Sequence, residues 1–441
     1  MLTVPFLCNR PDGTMQNGSI NQNRLIMKTN IKITSQTFLL IIVLFLLSCS
    51  KKEDDPVTDP VPIDLTEAQA IIIESGNEFA FDIFGKVIEK AEPVQNVMIS
   101  PLSISYALSM TINGAAGETR DAMQEALRIS GIDQETLNKS YKALTSALLT
   151  IDKKVLISIA NSVWTEDDFE VKKAFIDVLT SYYDAESKAF DIGDPLAPGL
   201  MNSWIEEKTN GLIREMIDQL PDNTVMLLIN AIYFKGQWKL QFDKSKTVDE
   251  AFFLTGNSQV TVPVMKQKKD FKVFEGNGFK IAEFPYGQGN YVMDVILPDD
   301  KEGLNSTLAL INSSDYELWV NQMAEQEVEV SFPRFKYGFK RTLEDILSDM
   351  GMGIAFTEFA DFSNISEQYD LLLNDVVHQT FIETNEEGTE AAAATVVTVG
   401  TTSMPPPPLE FRMDHPFLYI IRETSTNSIL FMGRVSDPSM N

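Results

Sequence analysis

The chain is poor in the residues on which most metal, redox and catalytic sites depend. Its 441 residues include two histidines and two cysteines, and both cysteines, Cys8 and Cys49, lie near the N-terminus. The long remainder of the chain therefore offers no disulfide and no thiolate chemistry. HExxH, EF-hand, GxSxG, P-loop and GxGxxG patterns are also missing. We therefore expect no metal or other cofactor, and no enzymatic activity.

Basic residues are also scarce. Lys and Arg number 36 against 63 Asp and Glu, which gives a net charge of −27 and a sequence pI near 4.4. Phosphate binding requires basic surface, so nucleic acid is not an expected partner. Solubility is the simplest explanation of the acidity. The hydrophobic content of 44% is typical of a globular protein with a large core.

Long apolar runs are almost absent, and the exception lies near the N-terminus. Residues 38–47, FLLIIVLFLL, are too few to span a bilayer but suit the core of a signal peptide. The run ends in LLSC, which resembles a bacterial lipobox and implies cleavage before Cys49 and lipidation of that cysteine. An ordinary signal with an incidental cysteine is the alternative. We interpret residues 1–48 as the signal segment, with Met27 a better start than Met1.

Residues 49–63 follow as the lipidated cysteine and an acidic, proline-containing tether that is not expected to fold. Residues 52–54, KED, resemble the surface-export signal of lipoproteins in the Bacteroidetes. The expected location is therefore the outer membrane, with the body exposed at the cell surface and attached only through the lipid at Cys49. A periplasmic or secreted protein is the alternative.

The body, residues 64–441, is predicted to be one α+β unit in which helices come first and strands later. Thr66 begins the capping-box pattern TEAQ, which marks a helix start. Helices are predicted over residues 66–89, 101–111, 117–127, 134–149, 172–183, 198–217 and 343–350. Strands are predicted over residues 97–99, 156–164, 224–234, 259–274, 280–284, 291–297, 327–332, 417–422 and 429–435.

One passage, residues 386–408, has divided local preferences. It reads EEGTEAAAATVVTVGTTSMPPPP. Its four alanines favour helix, TVVTV favours strand, and four prolines permit only extended chain. Such a segment is suited to more than one conformation.

Eight short motifs along the body, in order and at family spacing, resemble the serpin family. They are NVMISPLS (96–103), IANSVW (159–164), NSWIEEKTNG (202–211), LINAIYFKGQW (228–238), SFPRFK (331–336), ADFS (360–363), DHPF (414–417) and FMGR (431–434). The resemblance implies a serpin fold, in which helices pack around mixed and antiparallel β-sheets and a reactive loop is exposed near the C-terminus. It also implies a monomer whose partner is a protease.

The resemblance makes residues 386–408 the hinge and reactive loop. In serpins a protease cuts this loop, the hinge side inserts into the main sheet, and the acylated protease is trapped. The residues assigned to the hinge are Glu386, Glu387, Gly388, Thr389, Glu390, Ala391, Ala392, Ala393 and Ala394. Glycine permits the bend and alanines pass easily between strands. Alternation on insertion would turn one set of side chains inward: Thr389, Ala391, Ala393, Thr395, Val397 and Val399.

Family spacing from Gly388 places the reactive bond between Thr402 and Ser403, with the bond on either side of it as an alternative. Thr402 is small and neutral, so serine proteases of elastase or subtilisin type, or papain-like cysteine proteases, are expected rather than trypsin-like ones. Residues 405–408, all proline, would keep that side of the loop extended. A non-inhibitory serpin, with a binding or chaperone role, whose loop is cut without trapping is the alternative.

His378 has no accompanying nucleophile and orienting acid, so a catalytic role is not expected. The resemblance instead assigns conformational roles to six residues. It places Ser100, Ser103, Asn230 and His378 in a polar cluster, the shutter, that controls opening of the main sheet. It places Trp238 at the breach, where the loop first enters, and pairs Arg334 with Glu386 at the base of the loop.

Overall fold

The computed structural model describes residues 2–8, 60–256, 258–368, 370–389 and 407–440, except the side chains of Leu7 and Cys8. The predicted signal core, Cys49, residues 390–394 of the hinge and the Thr402–Ser403 bond lie outside these ranges. Within them the chain forms two large sheets flanked by helices, so the α+β prediction is confirmed.

The first helix begins as the sequence predicts. The Thr66 hydroxyl accepts a hydrogen bond from the Gln69 backbone N–H, and the Gln69 side chain accepts one from the Thr66 N–H, which completes a capping box. The described helices are α1 (Glu67–Lys90), α2 (Pro101–Ile112), α3 (Gly117–Ala126), α4 (Gln134–Thr150), α5 (Lys173–Tyr182), α6 (Ala197–Lys208), α7 (Leu304–Leu308), α8 (Ser313–Asn321) and α9 (Glu344–Leu347). None of the described helices is long and apolar enough to cross a membrane.

Two helices are shorter than predicted. The helix expected over residues 198–217 ends at Lys208, because Asn210 and Gly211 adopt left-handed backbone conformations with φ of 53° and 80°. The helix expected over residues 343–350 becomes a wider turn after Leu347, where Gly351 has a φ of 104°.

The strands outnumber those predicted. They are β1 (Leu2–Cys8), β2 (Val97–Ile99), β3 (Val155–Glu166), β4 (Glu186–Phe190), β5 (Thr224–Gln237), β6 (Val248–Phe253), β7 (Gln259–Glu275), β8 (Phe279–Tyr286), β9 (Tyr291–Pro298), β10 (Ala324–Pro333), β11 (Phe335–Thr342), β12 (Leu371–Leu373), β13 (Val377–Asn385), β14 (Gly388–Thr389), β15 (Leu409–Arg412), β16 (Phe417–Glu423) and β17 (Ile429–Val435).

The first sheet, called here the main sheet, is centred on β5. Its order is β12, β1, β13, β14, β5, β3 and β4, with β11 paired to β13. Nearly every residue of β5 is buried, as expected for an apolar strand covered on both faces. Trp204 and Ile205 of α6 pack in one cluster with Leu227 and Ile229 of β5, so α6 covers one face of the sheet.

The second sheet has the order β15, β10, β7, β8, β9, β16, β17 and β2, with β6 paired to β7. The terminal hairpin of β16 and β17 therefore lies inside this sheet rather than at its edge. The major core cluster contains residues of both sheets and of α1 and α2, for example Phe79, Leu108, Phe234 and Phe431.

Strand β1 lies in a part of the chain where the sequence predicts only a signal segment. It pairs antiparallel with β5, and also with β12 and β13. Leu2, Val4 and Phe6 are fully buried in the core. The apolar residues at every second position of LTVPFLC match the period of a strand.

Candidate functional site

The hinge begins with a buried acid. The Glu386 side chain is 2% exposed, and its carboxylate accepts hydrogen bonds from the Arg334 guanidinium, one of them 2.9 Å long, and from the Thr247 hydroxyl. Arg334 lies between β10 and β11, where its backbone N–H donates to the Pro263 carbonyl at 2.9 Å. Three distant parts of the chain therefore meet at this carboxylate.

Electrostatics keep this acid ionised. Burial alone would raise the pKa of the Glu386 carboxyl, but the hydrogen bonds from Arg334 and Thr247 outweigh that effect and hold the pKa below its ordinary value. The next residue, Glu387, pairs with Lys244. Each hinge acid thus has a cationic side chain beside it, Arg334 for Glu386 and Lys244 for Glu387.

Trp238 holds the backbone of the turn that follows β13. Its backbone N–H donates to the Glu387 carbonyl at 2.9 Å, and its indole N–H donates to the Asn385 carbonyl at 2.9 Å. The Phe242 N–H donates to the Glu386 carbonyl at 3.0 Å. The path of the chain from β13 into the hinge is therefore fixed by hydrogen bonds from one short segment after β5.

Gly388 and Thr389 form β14, a short strand between β13 and β5. Gly388 has a φ of 138°, and a Cβ on it would lie 2.2 Å from the Gly236 carbonyl oxygen. Only glycine fits this position without displacing β5. The Thr389 hydroxyl lies 3.0 Å from the Tyr286 hydroxyl, within hydrogen-bond distance.

An aromatic platform underlies β14. The rings of Trp238 and Tyr286 are stacked at 4.4 Å with an interplanar angle of 11°, and Phe284 and Phe332 contact Trp238 from other sides. Burial raises the pKa of Tyr286, so its phenol is neutral and can donate a hydrogen bond to Thr389. The platform supports β14.

A second polar cluster lies beneath the main sheet. The Ser100 N–H donates to His378 Nε2 at 3.0 Å, and the Ser100 hydroxyl donates to the Leu430 carbonyl at 2.8 Å. The Ser103 hydroxyl donates to the Asn230 side-chain oxygen. The Asn230 amide in turn donates to the Asn161 side-chain oxygen at 2.6 Å. The cluster joins α2 to β13, β5 and β3.

The surroundings of His378 indicate a structural role rather than a catalytic one. It is fully buried, and because Nε2 accepts from a backbone N–H, that nitrogen carries no proton. The Ser100 hydroxyl donates to a carbonyl rather than to the imidazole, so the pair is not arranged as a nucleophile and its base.

The predicted site residues thus fall into two groups. The first group meets at the end of β13 and consists of Trp238, Arg334 and the hinge residues 386–389. The second group forms the polar cluster beneath the main sheet and consists of Ser100, Ser103, Asn230 and His378. Five contributors were not predicted: Asn161, Lys244, Thr247, Tyr286 and Asn385. Asn161 lies inside the IANSVW motif, which could have indicated it. The others carry no local sequence signal.

Comparisons with known proteins agree with this architecture. The sequence profile of the family "Serpin (serine protease inhibitor)" matches residues 74–438. An uncharacterized serpin-like protein of Thermococcus kodakarensis is 35% identical over 373 residues, which cover 83% of this chain and 86% of the relative. Human Serpin B4 is 33% identical over 390 residues, which cover 83% and 99%.

The fold has solved counterparts. The crystal structure of the thermophilic serpin Tengpin in its native state superposes with a TM-score of 0.77 and 28% sequence identity, covering 86% of this chain and 97% of Tengpin. Together with the profile match and the relatives, these similarities show that the chain belongs to the serpin family of serine protease inhibitors.

Proposed function

We propose that this serpin inhibits its target protease by suicide trapping. The observation that carries the proposal is β14: Gly388 and Thr389 already pair with both β13 and β5 in the main sheet. A strand that begins there can lengthen only by continuing between the same two neighbours. The hinge is therefore set to insert further once the loop is cut.

The chemistry of the trap belongs to the protease. Its nucleophile attacks the Thr402 carbonyl, a bond forms between that oxygen or sulfur and the carbonyl carbon, and the bond to the Ser403 nitrogen breaks, with a proton passing to the leaving amine. Insertion of the hinge side then carries the acylated protease away before water can complete hydrolysis. The serpin contributes the loop that is cut and the insertion of its hinge side, whereas the catalytic groups belong to the protease.

The expected targets have pockets for a small neutral residue, which means elastase-like, subtilisin-like or papain-like enzymes. Support for insertion comes from the short, uncharged side chains of residues 391–394 and from the strand-forming TVVTV that follows them.

To test trapping, we would mix residues 50–441 with one protease of each class and analyse the products by denaturing gel and mass spectrometry. Trapping predicts a complex that survives denaturation and a released fragment that begins at Ser403. A released fragment that begins one residue earlier or later would change the assigned reactive bond but would still support trapping. Cleavage without a complex would instead favour the non-inhibitory serpin, whose loop is only a substrate.

We also propose that Cys49 carries the lipid and that the body faces outward from the outer membrane. The LLSC run and residues 52–54 support this. Fatty-acid labelling of the protein and of Cys49→Ala in a lipoprotein-exporting bacterium, followed by protease treatment of whole cells, tests both points. If the wild-type protein takes up no fatty acid, the proposed lipid anchor is wrong. If the body is protected from the protease, it lies in the periplasm rather than at the cell surface.

A further inference from the structure

The second of the chain's two histidines, His415, lies in the short connection between β15 and β16. It is buried, and both of its ring nitrogens have a polar partner. Nδ1 lies 2.8 Å from Asp414 Oδ1, and Nε2 lies 2.8 Å from the carbonyl oxygen of Pro298, the last residue of β9. The imidazole therefore joins this connection to the end of another strand of the second sheet.

These two contacts require a proton on each ring nitrogen. A carbonyl oxygen only accepts hydrogen bonds, so Nε2 carries a proton and donates to Pro298. A carboxylate also only accepts, so Nδ1 must donate to Asp414. A neutral imidazole has one donor and one acceptor, and its bare Nδ1 would face the carboxylate oxygen lone pair to lone pair. The observed geometry is therefore that of the imidazolium form of His415.

The charges around Asp414 keep that carboxyl ionised, so the extra proton belongs to the ring. Burial would raise the pKa of the Asp414 carboxyl, but the hydrogen bond from His415 and two nearby cations outweigh burial and hold the pKa below its ordinary value. The two cations are Lys301 and Arg412. Arg412 Nε lies 3.3 Å from Oδ2, the carboxylate oxygen that His415 does not contact.

The other charged groups around the connection have partners of their own. They form the pairs Arg412–Glu250, Lys266–Glu250 and Lys280–Asp299, and the Lys301 ammonium lies over the Phe253 ring. Histidine is the side chain whose charge ordinarily changes between about pH 5 and 8. Loss of its proton within that range would therefore act mainly on the contact between His415 and Asp414.

The position of β15 depends on this connection. The strand has four residues, stands at the edge of the second sheet, and among the described strands pairs with β10 alone. Just beyond it, the Met413 N–H donates to the Ser331 carbonyl at 3.0 Å, and the Phe253 N–H donates to the Asp414 carbonyl at 2.7 Å. Because β15 follows the reactive loop directly, these contacts secure the C-terminal end of the loop.

We propose that His415 is a pH-sensitive latch that holds β15 in the second sheet. As an imidazolium it joins Asp414 to the end of β9. When the ring loses its Nδ1 proton, two lone pairs face each other, the contact separates, and β15 loosens from β10. The stabilisation is thus present while the ring is protonated and is lost as the pH rises through the histidine range. This inference goes beyond the proposed function and does not depend on trapping.

The test uses the full chain, residues 1–441, and the variant His415→Gln, whose amide can still donate to the Pro298 carbonyl but carries no charge. Hydrogen–deuterium exchange of the amides of residues 409–413 is compared between the two proteins at the same pH, so that the intrinsic exchange rate cancels. At about pH 5.5 the variant should exchange at least about tenfold faster than wild type, because it lacks the charged hydrogen bond. At about pH 8 the two should agree within about twofold.

A second variant, Asp414→Asn, removes the other charge of the pair, and its side-chain amide can donate to the bare Nδ1 of a neutral ring. Its exchange rate relative to wild type should also fall by about tenfold or more between the two pH values. Asp177→Asn, which removes a half-exposed carboxylate on α5, is the control and should match wild type at both. For either latch variant, a rate ratio that does not change with pH would overturn the proposal. Asp414→Asn decides alone if His415→Gln does not fold.

Discussion

Arg334 and Glu386 form an ion pair whose two members differ in burial: the Arg334 side chain is 41% exposed, whereas the Glu386 side chain is 2% exposed. The arginine can still be hydrated when the pair separates, but the carboxylate cannot unless the hinge moves. Movement of the hinge is therefore opposed mainly by the cost of separating the buried Glu386 carboxylate from its cationic partner.

Replacing Arg334 with alanine should weaken the hinge. The buried carboxylate keeps the Thr247 hydroxyl but loses its cationic donor, and we expect a loss of roughly 1–2 kcal/mol in the free energy of unfolding. Denaturant titration measures the change. Arg214→Ala, which removes an exposed arginine 3.3 Å from Glu206, is the control and should shift stability by less than about 0.5 kcal/mol. Equal effects of the two substitutions would contradict the assigned role.

The hinge acid should also make stability depend on pH. Because the pKa of Glu386 is lowered in the folded state, its contribution is present above the ordinary glutamate value of 4.5 and is lost as the pH falls through the folded value. The difference in unfolding free energy between wild type and Glu386→Gln should be largest at neutral pH and shrink as the pH falls below 4.5. A difference that does not change with pH would show that the charge is not involved.

Gly388→Ala should exclude β14 from the sheet. The new Cβ would meet the Gly236 carbonyl oxygen, and the positive φ is itself unfavourable, at a cost of about 1–3 kcal/mol. If the proposed trapping is correct, a larger fraction of this variant is cleaved without forming a complex, which gel densitometry measures. Gly199→Ala in α6, where a Cβ meets no atom within 4 Å, should leave that fraction unchanged.

The shutter hydrogen bond between Ser103 and Asn230 should appear as energetic coupling. Ser103→Ala and Asn230→Ala each remove a partner from the same buried bond, so their combined effect should be smaller than the sum by about 0.5–3 kcal/mol. Unfolding of the four proteins of this cycle gives the value. Ser146→Ala, which removes an exposed hydroxyl that donates to the Lys142 carbonyl of its own helix, should add to Asn230→Ala without coupling.

The sequence predicted the fold best where one strong local signal was present. The capping box at Thr66 and the largely apolar run of β5 were sufficient to locate these elements. Strand β13 was missed because its inward positions include polar residues, among them His378, Thr380 and Thr384, so its hydropathy does not alternate. The helix that was predicted to continue to residue 217 was overextended because the left-handed turn at Asn210 and Gly211 outweighs the periodic pattern.

The hinge shows why the rest of the site could not be predicted. Family motifs indicated Glu386 and Arg334, but Thr247 and Lys244 reach the hinge acids from a connection about which local sequence says nothing. The strand formed by residues 2–8 was missed for another reason. A sequence can indicate that LTVPFLC suits a strand, but only the structure shows that β5 and β13 accept it.

The place of the terminal hairpin determines how a cut molecule behaves in solution. Strand β15 pairs with β10, and β16 lies between β9 and β17 with all its residues buried. A cut within residues 390–406 therefore produces two chains whose strands remain hydrogen-bonded to each other in the second sheet. The nicked protein should migrate as a single particle of unchanged mass in native size-exclusion chromatography, and it should separate into two pieces only when that sheet is unfolded.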